Sequence, residues 1–278
     1  MVELTDTHCH IQSAGLKAGS ANANQALWAK LDGLSGLQLI QRAAKVGVNR
    51  LVCVGCDLAD SQLAIKFVAD QPNCWASIGI HPHEAKDYVD SPDKLAQFAA
   101  LATQPKVIAI GETGLDYFYN HSPRAEQIRL LRIQLELAQK HDLPLIFHVR
   151  EAFDDFWPIF DEFQGLRGVI HSFTAKQPQL EQILERDLYV GLNGITTFAK
   201  DPEQIAAFKA VPLSQLLLET DAPFLTPVPF RGKICEPQYI SVTAQFLSET
   251  RGETLEQLAM ATTQNAQALF RMTNEATD

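Results

Sequence analysis

The sequence predicts a parallel α/β fold closed as a single (β/α)8 TIM barrel, on three observations. Short apolar runs alternate with amphipathic helical segments almost from end to end. The apolar runs number eight, the count that closes such a barrel. The length, 278 residues, is one that these barrels occupy as a single unit, so residues 1–278 read as one domain.

The strands are expected, in order, at Val2 to Asp6, Arg50 to Val54, Trp75 to Gly79 and Val107 to Gly111. Leu145 to His148, Val169 to His171, Tyr189 to Leu192 and Leu216 to Glu219 complete them. Each is short and apolar, as strands buried on both faces are. Between them, Gln38 to Val46 and Asp60 to Ala69 fit a helical period, and Ser91 to Thr103 opens with Ser-Pro, a good helix start. Pro123 to His141 is the longest helix, with Leu130, Ile133 and Leu137 on one apolar stripe. Glu151 to Phe163, Gln179 to Arg186, Glu203 to Lys209, Gln238 to Thr250 and Leu255 to Arg271 follow. Their apolar faces read as packing on a barrel rather than as partner surfaces.

Two segments break the alternation. Ala14 to Gly36 is rich in Gly, Ala, Asn and Ser and reads as an inserted loop holding a short helix. Pro223 to Pro237, rich in Pro and basic residues, follows the last strand. Loops after strands belong to the catalytic end of such a barrel, so both are candidates to line a site.

Composition narrows the partners. With 46% hydrophobic residues the chain can fill a large core, but its net charge is −10. Tight binding to long duplex DNA draws on phosphate neutralisation by basic patches, and no such excess exists here. A nucleic-acid substrate is therefore expected to be gripped locally, at an end, with bound cations supplying positive charge. The cysteines, Cys9, Cys53, Cys56, Cys74 and Cys235, are odd in number and read as reduced thiols. Cys53 and Cys56 have C-x-x-C spacing, but no second pair completes a zinc site, and they read as small residues filling a strand and its exit. Met1 to His10 has neither the basic nor the apolar region of a signal peptide, and no membrane span is in sight. A cytoplasmic protein without a membrane partner is expected, and a monomer is compatible with the sequence.

The metal-competent residues fall at strand exits. His8 and His10 lie two apart at the end of the first strand, so both point to one side of an extended chain. Glu112 follows the fourth strand, His148 ends the fifth, His171 ends the sixth and Asp221 follows the eighth. One histidine beside a strand is more often packing than ligand, but six such residues at the catalytic end of a barrel point to metal. Imidazole with carboxylate suits Zn²⁺, Mn²⁺, Ni²⁺ or Co²⁺, whereas Mg²⁺ alone prefers a purely oxygen site. Six ligands exceed the needs of one ion and suit two divalent ions sharing a carboxylate, an arrangement that activates water and polarises a scissile oxygen.

The motifs are specific. DTHCH at Asp6 to His10, GIHPH at Gly79 to His83 and GETGLDY at Gly111 to Tyr117 are joined by QLELA at Gln134 to Ala138. LPLIFHVREA at Leu143 to Ala152, HSF at His171 to Phe173 and LETDAPFLTPVPFRGK at Leu218 to Lys233 follow. In these stretches, which span nearly the whole chain, the sequence resembles the TatD family of metal-dependent deoxyribonucleases, a branch of the amidohydrolase-like TIM barrels. The resemblance implies that His8, His10 and Asp221 hold a first metal and His148 and His171 a second. Glu112 would bridge them, and Asp221 would also take the proton from the attacking water, which a carboxylate beside that water can do. The resemblance further implies that His81 contacts the phosphate or the leaving group. His83 reads as a loop-shaping, solvent-facing residue.

Arg150, two residues past His148, and Arg231 and Lys233 in the loop after the last strand are candidates to meet substrate phosphate. Arg150 can equally form a structural ion pair with Glu151, Glu112 or Asp116. Tyr117, Phe118 and Tyr119 can stack a terminal base or simply pack their loop. Two features depart from the family pattern: Ala14 to Gly36 is longer than expected, and Cys235 stands where Asn is commoner.

The function expected is a divalent-metal-dependent hydrolase of phosphodiester bonds, an exonuclease-like DNase acting on the ends of single-stranded or damaged DNA. The alternatives are a D-aminoacyl-tRNA deacylase or other ester hydrolase using the same dinuclear site, and a non-catalytic metal-binding protein.

Overall fold

In the computed structural model, which describes residues 2–16, 23–31 and 33–272, the strands are β1 Leu4–Cys9, β2 Val48–Val54, β3 Cys74–Ile78 and β4 Val107–Asp116. They continue with β5 Leu145–Arg150, β6 Gly168–Ile170, β7 Tyr189–Leu192 and β8 Leu216–Leu218. Eight parallel strands in chain order, with helices between them, are the (β/α)8 fold that the sequence predicts. The chain divides into two compact units, residues 1–53 with 172–268 and residues 54–171 with 269–278.

In the first unit β1 pairs in parallel with β2, from Leu4 opposite Val48 to Cys9 opposite Cys53. β7 pairs with β8 through Val190–Leu216 and Leu192–Leu218. Past the end of β8, the chain crosses to β1: the His10 amide donates to the Ala222 carbonyl at 2.7 Å. The Ala14 to Gly36 insertion does contain a short helix, Ala23–Trp28, although residues 17–22 and 32 lie outside the described residues.

In the second unit β3, β4, β5 and β6 pair in that order, all parallel. The expected strand edges shift here. β4 runs on to Asp116 and β5 to Arg150, so Glu112 lies within its strand rather than after it, and His148 lies inside β5 rather than at its end. The strand expected to end at Gly111 continues, with Thr113, Gly114, Leu115 and Asp116 in register with Phe147 to Arg150. Gly114 is what permits it: a Cβ there would stand 1.9 Å from the His148 carbonyl oxygen. The mostly aliphatic core of this unit includes an aromatic cluster, with buried Phe147 meeting Phe156 at 5.0 Å and Phe160 at 5.8 Å between ring centroids.

The helix Arg124–His141 locks the site loops through two buried glutamines seven residues apart, on one face of the helix. Gln134 accepts from the Ile80 amide and donates to the Ile80 carbonyl, both at 2.9 Å, and to Thr113 Oγ1 at 2.7 Å. Gln127 does the same for Asp116, accepting from its amide at 2.8 Å and donating to its carbonyl at 3.1 Å. Each amide side chain thus bonds both backbone groups of a single residue.

Candidate metal centre

Three of the predicted ligands meet in the first unit. His8 Nε2 and His10 Nε2 are 3.2 Å apart, and Asp221 Oδ1 lies 3.7 Å from the one and 3.4 Å from the other. Both histidines are buried. Asp221 is aimed by its backbone, which takes a left-handed conformation at φ 60° while its amide donates to the His8 carbonyl at 2.8 Å. Aspartate tolerates that region better than most residues. Asp6, fully buried, ties the two segments together: it accepts from the His8 amide at 3.2 Å, the Thr220 amide at 2.9 Å and Thr220 Oγ1 at 2.6 Å. Burial pushes its carboxyl up to about 7 despite those hydrogen bonds. The insertion takes part as well, since the buried Trp28 indole donates to the His10 carbonyl at 2.7 Å.

In the second unit a single carboxylate oxygen faces three imidazoles. Glu112 Oε1 is 2.8 Å from His148 Nδ1, 3.5 Å from His81 Nε2 and 3.7 Å from His171 Nε2. Gly79 makes room for Glu112, because a Cβ there would lie 2.3 Å from the Glu112 amide nitrogen. Asp116 stands behind these groups, with Oδ2 accepting from His148 Nε2 at 2.9 Å and from His83 Nε2 at 3.0 Å. Burial works against charge on Asp116, but the hydrogen bonds from His148 and His83 outweigh it and hold the carboxyl far below its ordinary value. Burial likewise opposes charge on His148, yet its bonds to Asp116 and Glu112 raise it. Burial lowers His81 to about 4 against the pull of Glu112, so its imidazole is neutral at pH 7. The His83 amide donates to His81 Nδ1 at 3.2 Å, which puts the His81 proton on Nε2, toward Glu112.

The donor set fits a divalent cation. A tetrahedral ion with bonds of about 2.0–2.1 Å separates its ligand atoms by roughly 3.3 Å. The edges of the His8–His10–Asp221 triangle, 3.2 to 3.7 Å, bracket that spacing. In the second unit, His81, Glu112 and His148 bring three donor atoms within 4.8 Å of one another.

The cationic side chains predicted to meet substrate each lie against aromatic rings. Arg150 spreads its guanidinium over Phe118, 4.1 Å from the ring centroid, and Tyr119, at 4.8 Å. Among the described residues the alternative ion pair with Glu151, Glu112 or Asp116 does not form: His148 faces Glu112, and histidines and backbone amides hold Asp116. Arg231 lies 3.8 Å over Phe198 and donates to the Thr226 carbonyl at 3.1 Å, and Lys233 sits over Phe230. His83 is not simply solvent-facing; it shares Asp116 with His148. Asp116, Gln127, Gln134, Asp6 and Trp28 are the residues that sequence reasoning leaves without a site role. Asp6, Asp116 and Gln134 lie inside the quoted motifs, which was the available signal. Cys56, read as filling, has its sulfur 3.9 Å from Glu112 Oε2.

Fold and donor set together define a metal-dependent hydrolase built on a (β/α)8 barrel. The chain belongs to the TatD related DNase family, which it matches over residues 5–271. It is 37% identical over 239 residues to the uncharacterized metal-dependent hydrolase YabD of Bacillus subtilis, covering 84% of this chain and 92% of that one. The 3'-5' ssDNA/RNA exonuclease TatD of Salmonella typhimurium is 34% identical, with 84% and 92% covered. Among solved structures, the TatD homologue YJJV of Escherichia coli superposes with a TM-score of 0.84 at 26% identity, covering 97% of this chain and 98% of that one. No helix among the described residues is long and apolar enough to cross a membrane.

Proposed function

We propose that residues 1–278 act as one hydrolase domain that removes nucleotides from the ends of single-stranded DNA, with two divalent cations as cofactors. The observation that carries this reading is the convergence of His8, His10 and Asp221 donor atoms within 3.7 Å, at spacings that suit a tetrahedral metal ion. His8, His10 and Asp221 are assigned to one ion and His148 and His171 to the other, with Glu112 shared between them. The cations, drawn from Zn²⁺, Mn²⁺, Ni²⁺, Co²⁺ or Mg²⁺, supply a water of lowered pKa and neutralise phosphate charge. The exonuclease names of the Salmonella typhimurium and Citrobacter rodentium relatives support a single strand cut from its 3' end, DNA or RNA.

The protein's own groups divide the remaining work. Asp221, 15% exposed and the least buried of its triangle, is the carboxylate placed to accept a proton from the attacking water. His81, neutral and carrying its proton on Nε2, is suited to donate a hydrogen bond to a phosphoryl or leaving oxygen. Arg150, Arg231 and Lys233 are assigned to the substrate strand. An odd count of five cysteines supports a reducing, cytoplasmic setting.

The test is a labelled single strand incubated with protein refilled with defined cations. Release of nucleotides that stops with chelator and with Asp221→Asn supports the reading. An intact strand beside hydrolysis of D-aminoacyl-tRNA would replace it with the deacylase, and inertness toward both would leave a metal-binding protein without this chemistry.

A further inference from the structure

Phe118 and Tyr119 present large rings to solvent, each 51% exposed, at the exit of β4. A core or packing role does not account for them. The two rings stand perpendicular, 4.8 Å between centroids, and the Arg150 guanidinium lies against both. His121 stacks on Tyr119 at an interplanar angle of 5°. The result is a shelf of π faces with one delocalised cation.

The backbone of the shelf is tied to a proposed metal ligand. Asp116 Oδ1 accepts from the amides of Phe118 at 3.0 Å and Tyr119 at 2.9 Å, while its other oxygen holds His148. One buried carboxylate therefore fixes both the aromatic loop and a proposed metal ligand. Arg150 opposes Asp116 in the β4–β5 register and lies two residues past His148. Two strand residues share a face about 6.6 Å apart, which sets the cation beside the metal site rather than remote from it.

We infer that Phe118, Tyr119 and Arg150 form a subsite for one nucleobase of a single-stranded polynucleotide, next to the phosphate being cleaved. This inference rests on the proposed nuclease function. A net charge of −10 leaves little general attraction for phosphates, so affinity must come from elsewhere. Stacking supplies it without reading sequence, and a guanidinium laid on aromatic rings offers a further flat face to a base. A duplex keeps its bases stacked on one another, so the shelf selects for frayed or single-stranded ends.

The experiment uses metal-loaded protein and two fluorescein-labelled oligothymidylates, one natural and one with abasic residues at its three terminal positions. Binding is followed by anisotropy and hydrolysis by nucleotide release, for wild type, Phe118→Ala/Tyr119→Ala, Arg150→Gln and Tyr119→Phe. Stacking on aromatic side chains is worth about 5- to 150-fold in affinity per base. The wild type is expected to bind the abasic strand weaker by that factor. The double alanine variant is expected to bind the natural strand equally weakly and to show no further abasic penalty, while Tyr119→Phe keeps wild-type affinity. An unchanged abasic penalty in the double alanine variant, or none in the wild type, overturns the subsite. Base-dependent binding without hydrolysis would sink the nuclease reading and leave the shelf standing. Hydrolysis without base dependence would do the reverse, and neither binding nor hydrolysis would remove both.

Discussion

Asp116 holds His148 by the ring nitrogen that Glu112 does not face: Nε2 donates to Asp116 Oδ2 at 2.9 Å, and Nδ1 lies 2.8 Å from Glu112 Oε1. With its proton committed to Asp116, the imidazole has Nδ1 to offer a cation. This is how outer carboxylates commonly fix the tautomer and orientation of a metal-ligating histidine.

Asp116→Asn should therefore weaken cation binding by about 10- to 100-fold, the usual cost of losing such a partner. Chelator competition with the purified variant measures this. Activity lost at low metal should return as the cation concentration rises. Unaltered affinity would show that Asp116 serves only the Phe118–Tyr119 loop.

Gln134 carries two backbone groups of Ile80 and one hydroxyl of Thr113 in a fully buried place. Gln134→Leu keeps the volume and removes every partner. With each of the three stranded buried groups costing about 1–3 kcal/mol, the variant should lose roughly 3–9 kcal/mol in urea unfolding. A loss under 1 kcal/mol would mean that the loop finds other partners on its own.

Trp28 joins the insertion to the first metal half-site through its bond to the His10 carbonyl. Trp28→Phe should cost about 1 kcal/mol by removing that hydrogen bond, and Trp28→Ala about 3–5 kcal/mol by emptying a buried site. If the insertion helps to hold His10, both variants should also bind cation more weakly. Equal affinity across the three proteins would confine Trp28 to packing.

Much of this was legible in the sequence because the fold repeats one simple pattern. The expected strands at Tyr189 to Leu192 and Arg50 to Val54 match β7 and β2 to within two residues, since apolar runs bounded by polar residues mark buried strands well. The end of β4 was hidden, because Glu112 to Asp116 lacks apolar alternation and is kept extended by pairing with β5. Ligand residue types were legible because chemistry restricts them. The roles of Gln127, Gln134 and Asp116 were not, since a buried polar side chain chooses partners by tertiary proximity. Gln134 and Ile80 are 54 residues apart in the chain. Arg150 shows the same limit: its carboxylate candidates were visible, but Asp116 was already filled by histidines and amides.

The central claim is that these side chains hold two cations. Metal content of the purified, refilled and desalted protein, measured by inductively coupled plasma mass spectrometry, tests it directly. Two ions per chain are predicted for the wild type and about one for His8→Ala/His10→Ala. A wild type that retains no ion after refilling, or a double variant that retains as many as the wild type, would contradict it.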